Sequence, residues 1–246
     1  MPSSSHRPRK RFGQHFLHER GVLHKLVEAI QPSSTDFIVE IGPGEGVLTA
    51  PLLQKAGKLE AIELDRDLAA GLAEKFPNLT VHCGDALEVD FAQFPAGMRI
   101  VGNLPYNVST PLLFHLARYA AQVRDMHFML QLEVVERMVA APSTPAYGRL
   151  SVSLQSKFRM QKLFKVAPGA FRPPPKVDSA VVRLQPLDWQ LPVDEDLLRR
   201  AFSARRKTLR NALPEVDFAA AGIDSGLRPE NLSPEDYARL SMSVIR

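Results

Sequence analysis

Short apolar segments alternate with segments of helical periodicity through much of the chain. The apolar segments have the length and the flanking small residues of buried strands, and they span residues 37–42, 58–64, 79–83, 98–104, 127–133 and 179–185. Apolar residues recur at helical spacing over residues 19–30, 47–56, 66–76, 109–120 and 134–141. This alternation predicts a doubly wound α/β fold with parallel strands.

The C-terminal part of the chain has a different pattern. From Asp194 onward the sequence contains only short helical stretches and nothing that resembles a strand. This change predicts two domains, an α/β domain over residues 1–187 and a small helical domain over residues 188–246.

Composition excludes several classes of protein. Of the 246 residues, 45% are apolar and 24% are charged, which is typical of a globular chain. The single cysteine, Cys83, rules out an internal disulfide and a cysteine-rich zinc module. No apolar run reaches the roughly 18 residues of a membrane span, and the basic N-terminus lacks the apolar core of a secretory signal. We therefore expect a cytoplasmic protein without membrane contacts or a bound metal, although the basic N-terminus leaves organelle import open.

Basic side chains are concentrated in parts of the sequence. The net charge is only +4, but residues 101–187 carry 11 basic and 4 acidic side chains, against 11 and 13 in residues 1–100. A solvated basic face explains one such cluster, whereas several clusters favour a polyanionic partner such as nucleic acid. The candidate contacts are Arg149, Lys157, Arg172, Lys176, Arg205, Arg206, Lys207 and Arg210, and a further cluster comprises Arg7, Arg9, Lys10 and Arg11.

A glycine-rich turn follows the first predicted strand of the sheet. Gly42 and Gly44 belong to a G-x-G-x-G pattern, which differs from the G-x-G-x-x-G of dinucleotide enzymes. Glu63 follows 21 residues after Gly42, where a carboxylate can accept hydrogen bonds from ribose hydroxyls. Glu40 and Glu45 add negative charge, which repels a diphosphate and attracts an ammonium or a sulfonium. The turn therefore favours S-adenosyl-L-methionine over NAD, and an NAD-dependent oxidoreductase is the alternative.

Polar residues also follow the next two predicted strands. Asp85 can accept a hydrogen bond from an adenine amine or can cap a helix, and the sequence leaves both open. Asn103, Leu104, Pro105 and Tyr106 form a rigid turn with two acceptors and a ring. The amide oxygen of Asn103 and the backbone carbonyl of Leu104 can orient an aromatic amine toward an activated methyl group, while Tyr106 stacks on the base. This combination predicts methyl transfer to a nucleobase amine.

With these segments together, the chain resembles the ribosomal RNA adenine dimethyltransferases, and within them the bacterial small-subunit (16S) type. The strings that carry the resemblance are KRFGQHFL, VEIGPGEGVLT, IELDRD, GDAL, NLPYN, TPLLFHL, FRPPPKVDSAVVRL and FSARRKTLRNAL, which together run over nearly the whole chain. The resemblance implies a seven-stranded, mostly parallel class I methyltransferase domain of the Rossmann-like type and a small all-α domain. It implies transfer of four methyl groups to two adjacent adenines in the 3′-terminal hairpin loop of 16S rRNA, by a monomer that acts on the immature small (30S) subunit during ribosome biogenesis.

The resemblance also implies roles for individual residues. The implied cofactor contacts are His15, Leu17, Gly42, Glu63, Asp85 and Asn103, with Gly44 in the same turn. Phe171 is implied to sandwich the target base together with Tyr106, although the sequence pattern alone indicates a core residue. The family usually has asparagine where this chain has His15, so a contact through the backbone survives the change and a contact through a side-chain amide does not.

Two further alternatives stay open at this point. One is a large-subunit ribosomal RNA adenine methyltransferase of the antibiotic-resistance type, against which the NLPYN and FRPPPKVDSAVVRL strings argue. The other is a ribosome-assembly factor whose main role is RNA binding, with catalysis secondary.

Overall fold

The computed structural model describes residues 14–244, which form two compact units. The first unit contains residues up to 135 together with residues 161–184, and the second contains residues 136–160 together with the chain from residue 185. The N-terminal basic cluster Arg7, Arg9, Lys10 and Arg11 lies outside the described residues.

Strands and helices alternate as the sequence predicts. The strands are β1 (Phe16–Leu17), β2 (Phe37–Ile41), β3 (Lys58–Glu63), β4 (Thr80–Cys83), β5 (Met98–Asn103), β6 (Val123–Gln131), β7 (Phe158–Val166), β8 (Phe171–Arg172) and β9 (Ser179–Pro186). The α-helices are α1 (Arg20–Ile30), α2 (Thr49–Leu53), α3 (Arg66–Lys75), α4 (Ser109–Leu116), α5 (Leu132–Met138), α6 (Arg149–Gln155), α7 (Glu195–Ser203), α8 (Leu209–Ala212), α9 (Phe218–Ala221) and α10 (Pro234–Met242). Short 3₁₀ helices span Phe91–Gln93, Ala117–Gln122, Pro168–Ala170 and Pro229–Asn231.

Seven strands form one sheet in the order β4-β3-β2-β5-β6-β9-β7. The neighbours from β4 to β6 pair in parallel, and β9 pairs antiparallel to β6. This confirms the predicted α/β fold with a mostly parallel sheet. The strand order reverses between β2 and β5, and in such sheets ligands bind at the carboxyl ends of the strands beside the reversal.

A second, two-stranded sheet pairs β1 with β8. Leu17 lies opposite Phe171, and both side chains are buried in the core that also packs helix α1. The backbone N–H of His18 donates to the carbonyl of Ala170, which extends the pairing by one residue. This pairing fixes the segment that precedes α1 beside the carboxyl ends of the main sheet.

Several predicted boundaries are wrong in detail. Strand β6 begins at Val123 and not at residue 127, and the helix predicted over residues 47–56 is reduced to α2. The helix predicted over residues 109–120 ends as an α-helix at Leu116 and continues as a 3₁₀ segment, which is kinked at Tyr119 (φ −104°, ψ 16°). Strand β7 was not predicted at all. It lies at the edge of the sheet and exposes polar side chains, so it lacks the apolar pattern of a central strand.

The second unit has a core of its own. Helices α7 to α10 supply much of this core, and Tyr147 and Val152 from the segment 136–160 join it. Tyr147 donates its hydroxyl to the carbonyl of Leu232 (2.9 Å), and Tyr237 donates to that of Pro229 (2.9 Å). The segment 136–160 thus packs with the C-terminal chain, whereas the sequence pattern grouped it with residues 1–187. The division into a catalytic and an RNA-contacting domain stays a prediction.

A buried arginine anchors the end of α1 to the sheet. The Arg99 guanidinium donates to both carboxylate oxygens of Asp125 (2.8 and 3.0 Å) and to Asp36 (2.7 Å). It also donates to the carbonyls of Ile30 and Gln31, which have no further helical turn to satisfy them. Both carboxylates and the guanidinium are almost fully buried, so each needs the others to remain charged.

Replacing Arg99 tests this anchor. Arg99→Ala leaves Asp36 and Asp125 buried without their main partner, so we expect a loss of about 3–5 kcal/mol in the free energy of unfolding, measured by urea denaturation. Arg124→Ala is the control, because Arg124 also pairs with Asp36 (2.9 Å) but its own side chain is 60% exposed. That variant is expected to lose less than about 1 kcal/mol. Equal losses in the two variants would contradict the assignment of the anchor to Arg99.

Candidate active site

A cavity of about 340 Å³ lies in the first unit at the carboxyl ends of the parallel strands. The glycine-rich turn after β2, the ends of β3 and β5, and the chain just before α1 contribute to its wall. Its position matches the reversal of strand order between β2 and β5. The sequence predicted a binding site at this edge of the sheet.

The wall of the cavity is acidic. Its lining includes the carboxylates of Glu40, Glu45, Glu63 and Asp85, and among the described residues that line it there is no lysine or arginine. Apolar side chains, among them Leu48 and Met129, form other parts of the wall. Negative charge favours cations and disfavours phosphates. These carboxylates therefore fit a ligand that carries a sulfonium or an ammonium, and they do not fit the diphosphate of a dinucleotide.

The glycine-rich turn places its backbone where side chains do not fit. Gly42 and Gly44 have φ values of +67° and +58°, a region that other residues rarely adopt. A Cβ atom on Gly44 would lie only 3.0 Å from the Phe16 ring. The backbone N–H of Gly44 donates to Glu63 Oε2 (3.1 Å), so the turn and the end of β3 are joined directly.

Glu63 is held in place by two backbone hydrogen bonds. It accepts from Gly44 and, through Oε1, from the N–H of Asp65 (2.9 Å). Only 5% of Glu63 is exposed, and burial raises the pKa of its carboxyl. A carboxylate has about four acceptor positions, so these two bonds orient Glu63 while leaving room for further donors.

Glu40 lies deeper beneath the turn. It is 2% exposed, and Thr49 at the start of α2 donates its hydroxyl to Glu40 Oε2 (2.7 Å). Burial, with a smaller contribution from the negative charge of Glu63, raises the pKa of the Glu40 carboxyl to about 7, although the hydrogen bond from Thr49 opposes this shift. Glu40 was predicted from the sequence as a source of negative charge, whereas Thr49 was not, because the sequence pattern gives no signal for it.

Asn103 is oriented by the chain that precedes α1. Its Nδ2 donates to the backbone carbonyl of His15 (2.8 Å), which leaves Oδ1 as the acceptor of this amide. The N–H of Leu104 donates to the carbonyl of Met129 (3.1 Å), which fixes the turn to β6. Leu104 and Pro105 line the cavity beside Asn103.

Tyr106 completes the wall of the cavity after this turn. Its hydroxyl pairs with Ser179 Oγ (2.5 Å), and its ring centroid lies 5.2 Å from that of His15. Burial raises the pKa of Tyr106, so it is a neutral ring at physiological pH. Ser179 lies within the FRPPPKVDSAVVRL string, which is the signal that could have identified it.

The structure brings nearly all the predicted site residues together. The cavity lining contains every predicted cofactor contact and the turn residues, namely His15, Leu17, Gly42, Gly44, Glu63, Asp85, Asn103, Leu104, Pro105 and Tyr106. Asp85 also accepts from the N–H of Leu87 (2.9 Å), but residues 86–88 form a turn and not a helix, so the helix cap that the sequence left open for Asp85 is not formed. Phe171 is not among the lining residues, and its side chain is 1% exposed in the core opposite Leu17.

The predicted nucleic-acid contacts differ in their surroundings. Arg149 pairs with Glu195 (3.3 Å) and Arg205 with Glu230 (3.5 Å), while Lys157 is half-buried. Within the part of the chain that the structure describes, no ion pair is found for the exposed side chains of Arg172, Lys176, Arg206, Lys207 and Arg210. Of the eight predicted contacts, these five are therefore the most accessible to a polyanion.

The sheet topology and the acidic cavity define a class I S-adenosyl-L-methionine-dependent methyltransferase with a Rossmann-like fold. The sequence model of the family described as ribosomal RNA adenine dimethylase matches residues 5–245. The chain belongs to this family, and it is therefore an enzyme that methylates adenine in ribosomal RNA. None of the helices in residues 14–244 combines the length and the apolar character that crossing a bilayer requires.

Individual relatives agree with the family. The chain is 56% identical over 250 residues to the ribosomal RNA small subunit methyltransferase A of Aromatoleum aromaticum, covering 97% of this chain and 94% of the relative. It is also 56% identical to the protein of that name in Thiobacillus denitrificans, covering 96% and 97%. Among solved structures, a dimethyladenosine transferase from Plasmodium falciparum matches with a TM-score of 0.79 and 29% identity over 93% of this chain and 96% of that one. The 23S rRNA methyltransferase ErmE matches with a TM-score of 0.70 and 26% identity over 93% and 99%.

Glu40→Gln tests the buried carboxyl of the cavity. A carboxyl with a pKa of about 7 in the fold and 4.5 in the unfolded chain stabilises the fold fully below pH 4.5, and this contribution is lost as the pH rises through 7. We expect the ligand-free wild type to lose about 3 kcal/mol of unfolding free energy between pH 4.5 and pH 8 relative to Glu40→Gln. Urea unfolding at several pH values measures this difference. The exposed Glu74→Gln is the control, and a Glu40→Gln curve parallel to the wild type would refute the assignment.

Proposed function

We propose that this chain dimethylates the exocyclic amines of two adjacent adenines in the 3′-terminal hairpin loop of 16S rRNA. The observation that carries the proposal is the 56% identity, over almost the full length of both chains, to proteins named ribosomal RNA small subunit methyltransferase A. Identity to the 23S rRNA methyltransferase ErmE is 26%, which argues against the large-subunit alternative. The substrate is the immature 30S subunit in the cytoplasm, and the enzyme acts as a monomer.

The acidic cavity is the proposed cofactor site. S-adenosyl-L-methionine supplies a methyl group made electrophilic by its bonding to a positively charged sulfur. The carboxylate of Glu63 accepts hydrogen bonds from the ribose hydroxyls of the cofactor. It does so at the acceptor positions that the N–H groups of Gly44 and Asp65 do not occupy. Asp85 accepts a hydrogen bond from the adenine amine of the cofactor, while Gly42 lets the backbone of the turn approach the cofactor closely. His15 contributes through its backbone and Leu17 through its apolar side chain, so the replacement of the usual asparagine at position 15 is tolerated.

The turn after β5 is the proposed catalytic element. An aromatic amine needs no strong base to attack an activated methyl group, but its lone pair must point at that group. Asn103 Oδ1 and the Leu104 carbonyl accept the hydrogens of the amine, which directs the lone pair toward the methyl. The rigid backbone at Pro105 holds these two acceptors in fixed positions relative to each other.

Aromatic residues position the target base. Tyr106 lines the cavity and stacks on the adenine, a contact worth about 1–3 kcal/mol. The side chain of Phe171 is buried in the structure, so the proposed contact with the other face of the base requires that the β8 segment expose this ring. An adenine in a hairpin loop reaches such a site at lower cost than one in a duplex.

The decisive experiment is primer extension across the 3′ end of 16S rRNA. An N6,N6-dimethylated adenine has no N–H left for Watson–Crick pairing, so reverse transcription stops at the modified positions. Small subunits from cells without a functional copy of this gene should give no stops before treatment and two adjacent stops after incubation with the protein and the methyl donor. Stops in 23S rRNA, or none in either RNA, would overturn the proposal.

Asn103→Ala tests the catalytic turn. The variant loses the acceptor that orients the amine, so we expect methylation of the small subunit to fall at least about 100-fold, measured by transfer of a radiolabelled methyl group. Calorimetric titration with the cofactor separates this loss from a loss of binding. Asn78→Ala, in an exposed turn after α3, is the control and should keep wild-type turnover. Wild-type turnover of Asn103→Ala would remove the proposed role.

The cations around α8 are tested by a triple replacement with alanine of Arg206, Lys207 and Arg210. These side chains are exposed, so each is expected to contribute one phosphate contact. The slope of log affinity for the small subunit against log salt concentration should decrease in magnitude by roughly 2–3. Arg199→Ala is the control, because Arg199 already pairs with Asp196 (2.5 Å) on the same helix. An unchanged slope in the triple variant would exclude α8 from the RNA interface.

A further inference from the structure

The single tryptophan of the chain is exposed on the second unit. Trp189 is 79% exposed, the highest value among the large apolar side chains of residues 14–244 that lie at the surface. A tryptophan so exposed contributes little to the stability of its own fold, because its ring makes few contacts there. None of the roles assigned above uses it.

The loop that carries Trp189 is fixed at both ends. The N–H of Leu187 donates to the carbonyl of Lys157 (2.9 Å), and the N–H of Leu191 donates to that of Ser156 (2.9 Å). Only three residues lie between these two anchors, so Trp189 is the central residue of a short closed loop. The ring is therefore presented on an ordered backbone, and little conformational entropy is lost when a partner binds it.

The charge around this loop fits an RNA partner. The loop is anchored to the start of β7, where Lys157 and the exposed Arg159 provide positive charge. The acidic residue Asp188 precedes Trp189 directly. Its negative charge repels a phosphate at the tip of the loop but does not repel an uncharged base. Basic side chains that hold the backbone beside an aromatic ring that stacks on a base are the common arrangement for unpaired RNA.

We propose that Trp189 stacks on an unpaired base of small-subunit ribosomal RNA at a contact distinct from the methylated adenines. The contact anchors the substrate and takes no part in methyl transfer. This inference rests on the proposed function, since it needs the small subunit as the bound partner.

The first test measures affinity and turnover on immature 30S subunits. Trp189→Ala should raise the KM for the subunit about tenfold and leave kcat unchanged, because stacking contributes to binding alone. Trp189→Phe should recover most of the affinity, since a phenyl ring also stacks. Met242→Ala is the matched control, because Met242 is 70% exposed in the same unit and has no proposed role. A KM for Trp189→Ala equal to that of the wild type would overturn the proposal.

The second test identifies what Trp189 touches. A photoreactive p-benzoylphenylalanine at position 189 is irradiated in complex with the 30S subunit, and crosslinked nucleotides are mapped by reverse transcription. A crosslink to a single-stranded position of 16S rRNA outside the methylated loop supports the proposal. A crosslink only to a ribosomal protein or to a second copy of the chain, or none, overturns it. Methylation of the same subunits by the wild type is measured in parallel, so a failure of this contact is distinguishable from a failure of the proposed function.

Discussion

Parallel hydrogen bonding between β2, β3 and β5 is the constraint on which the rest of the site depends. It brings three strand ends to one edge of the sheet, so Glu40, Glu63 and Asn103 approach each other although they are distant in sequence. The reversal of strand order at β2 and β5 then opens a crevice between the helices on the two faces. The chemistry of the cavity follows from the side chains that these strand ends carry.

The electrostatic character of the cavity comes at a cost to the fold. Two carboxyl groups are buried close together at the ends of adjacent strands, with Thr49 and backbone N–H groups as their donors. Burial and mutual repulsion both disfavour their charged forms, as the raised pKa of Glu40 indicates. A positive charge in the cavity offsets the repulsion between the carboxylates, so an arrangement that is unfavourable for the fold alone favours a cationic ligand.

Much of this arrangement was predictable because it depends on local patterns. The strand-to-glycine junction at Gly42, the carboxylate at Glu63 and the turn at Asn103 are each defined by a few consecutive residues, and parallel pairing places them together. Contacts between distant segments were not predictable in this way. The hydrogen bond of Thr49 to Glu40 and the position of β7 depend on packing, and β7 in particular has the exposed, charged composition of an edge strand. Phe171 shows the reverse case, because the apolar pattern indicated the core position that the structure has, while the resemblance implied a contact with the base.

The hydrogen bond from Asn103 to the carbonyl of His15 has a consequence for chemical selectivity. The two ends of a primary amide are nearly identical in size, so shape alone does not decide which end faces a ligand. A backbone carbonyl can only accept a hydrogen bond, so the amide nitrogen of Asn103 must face the carbonyl of His15. The amide oxygen of Asn103 then faces the cavity. The identity of residue 15 is irrelevant to this choice, since any amino acid provides the same carbonyl. The stretch of chain before the first helix thus sets the polarity of the amide that lines the cavity, and a histidine at position 15 provides the same carbonyl as an asparagine.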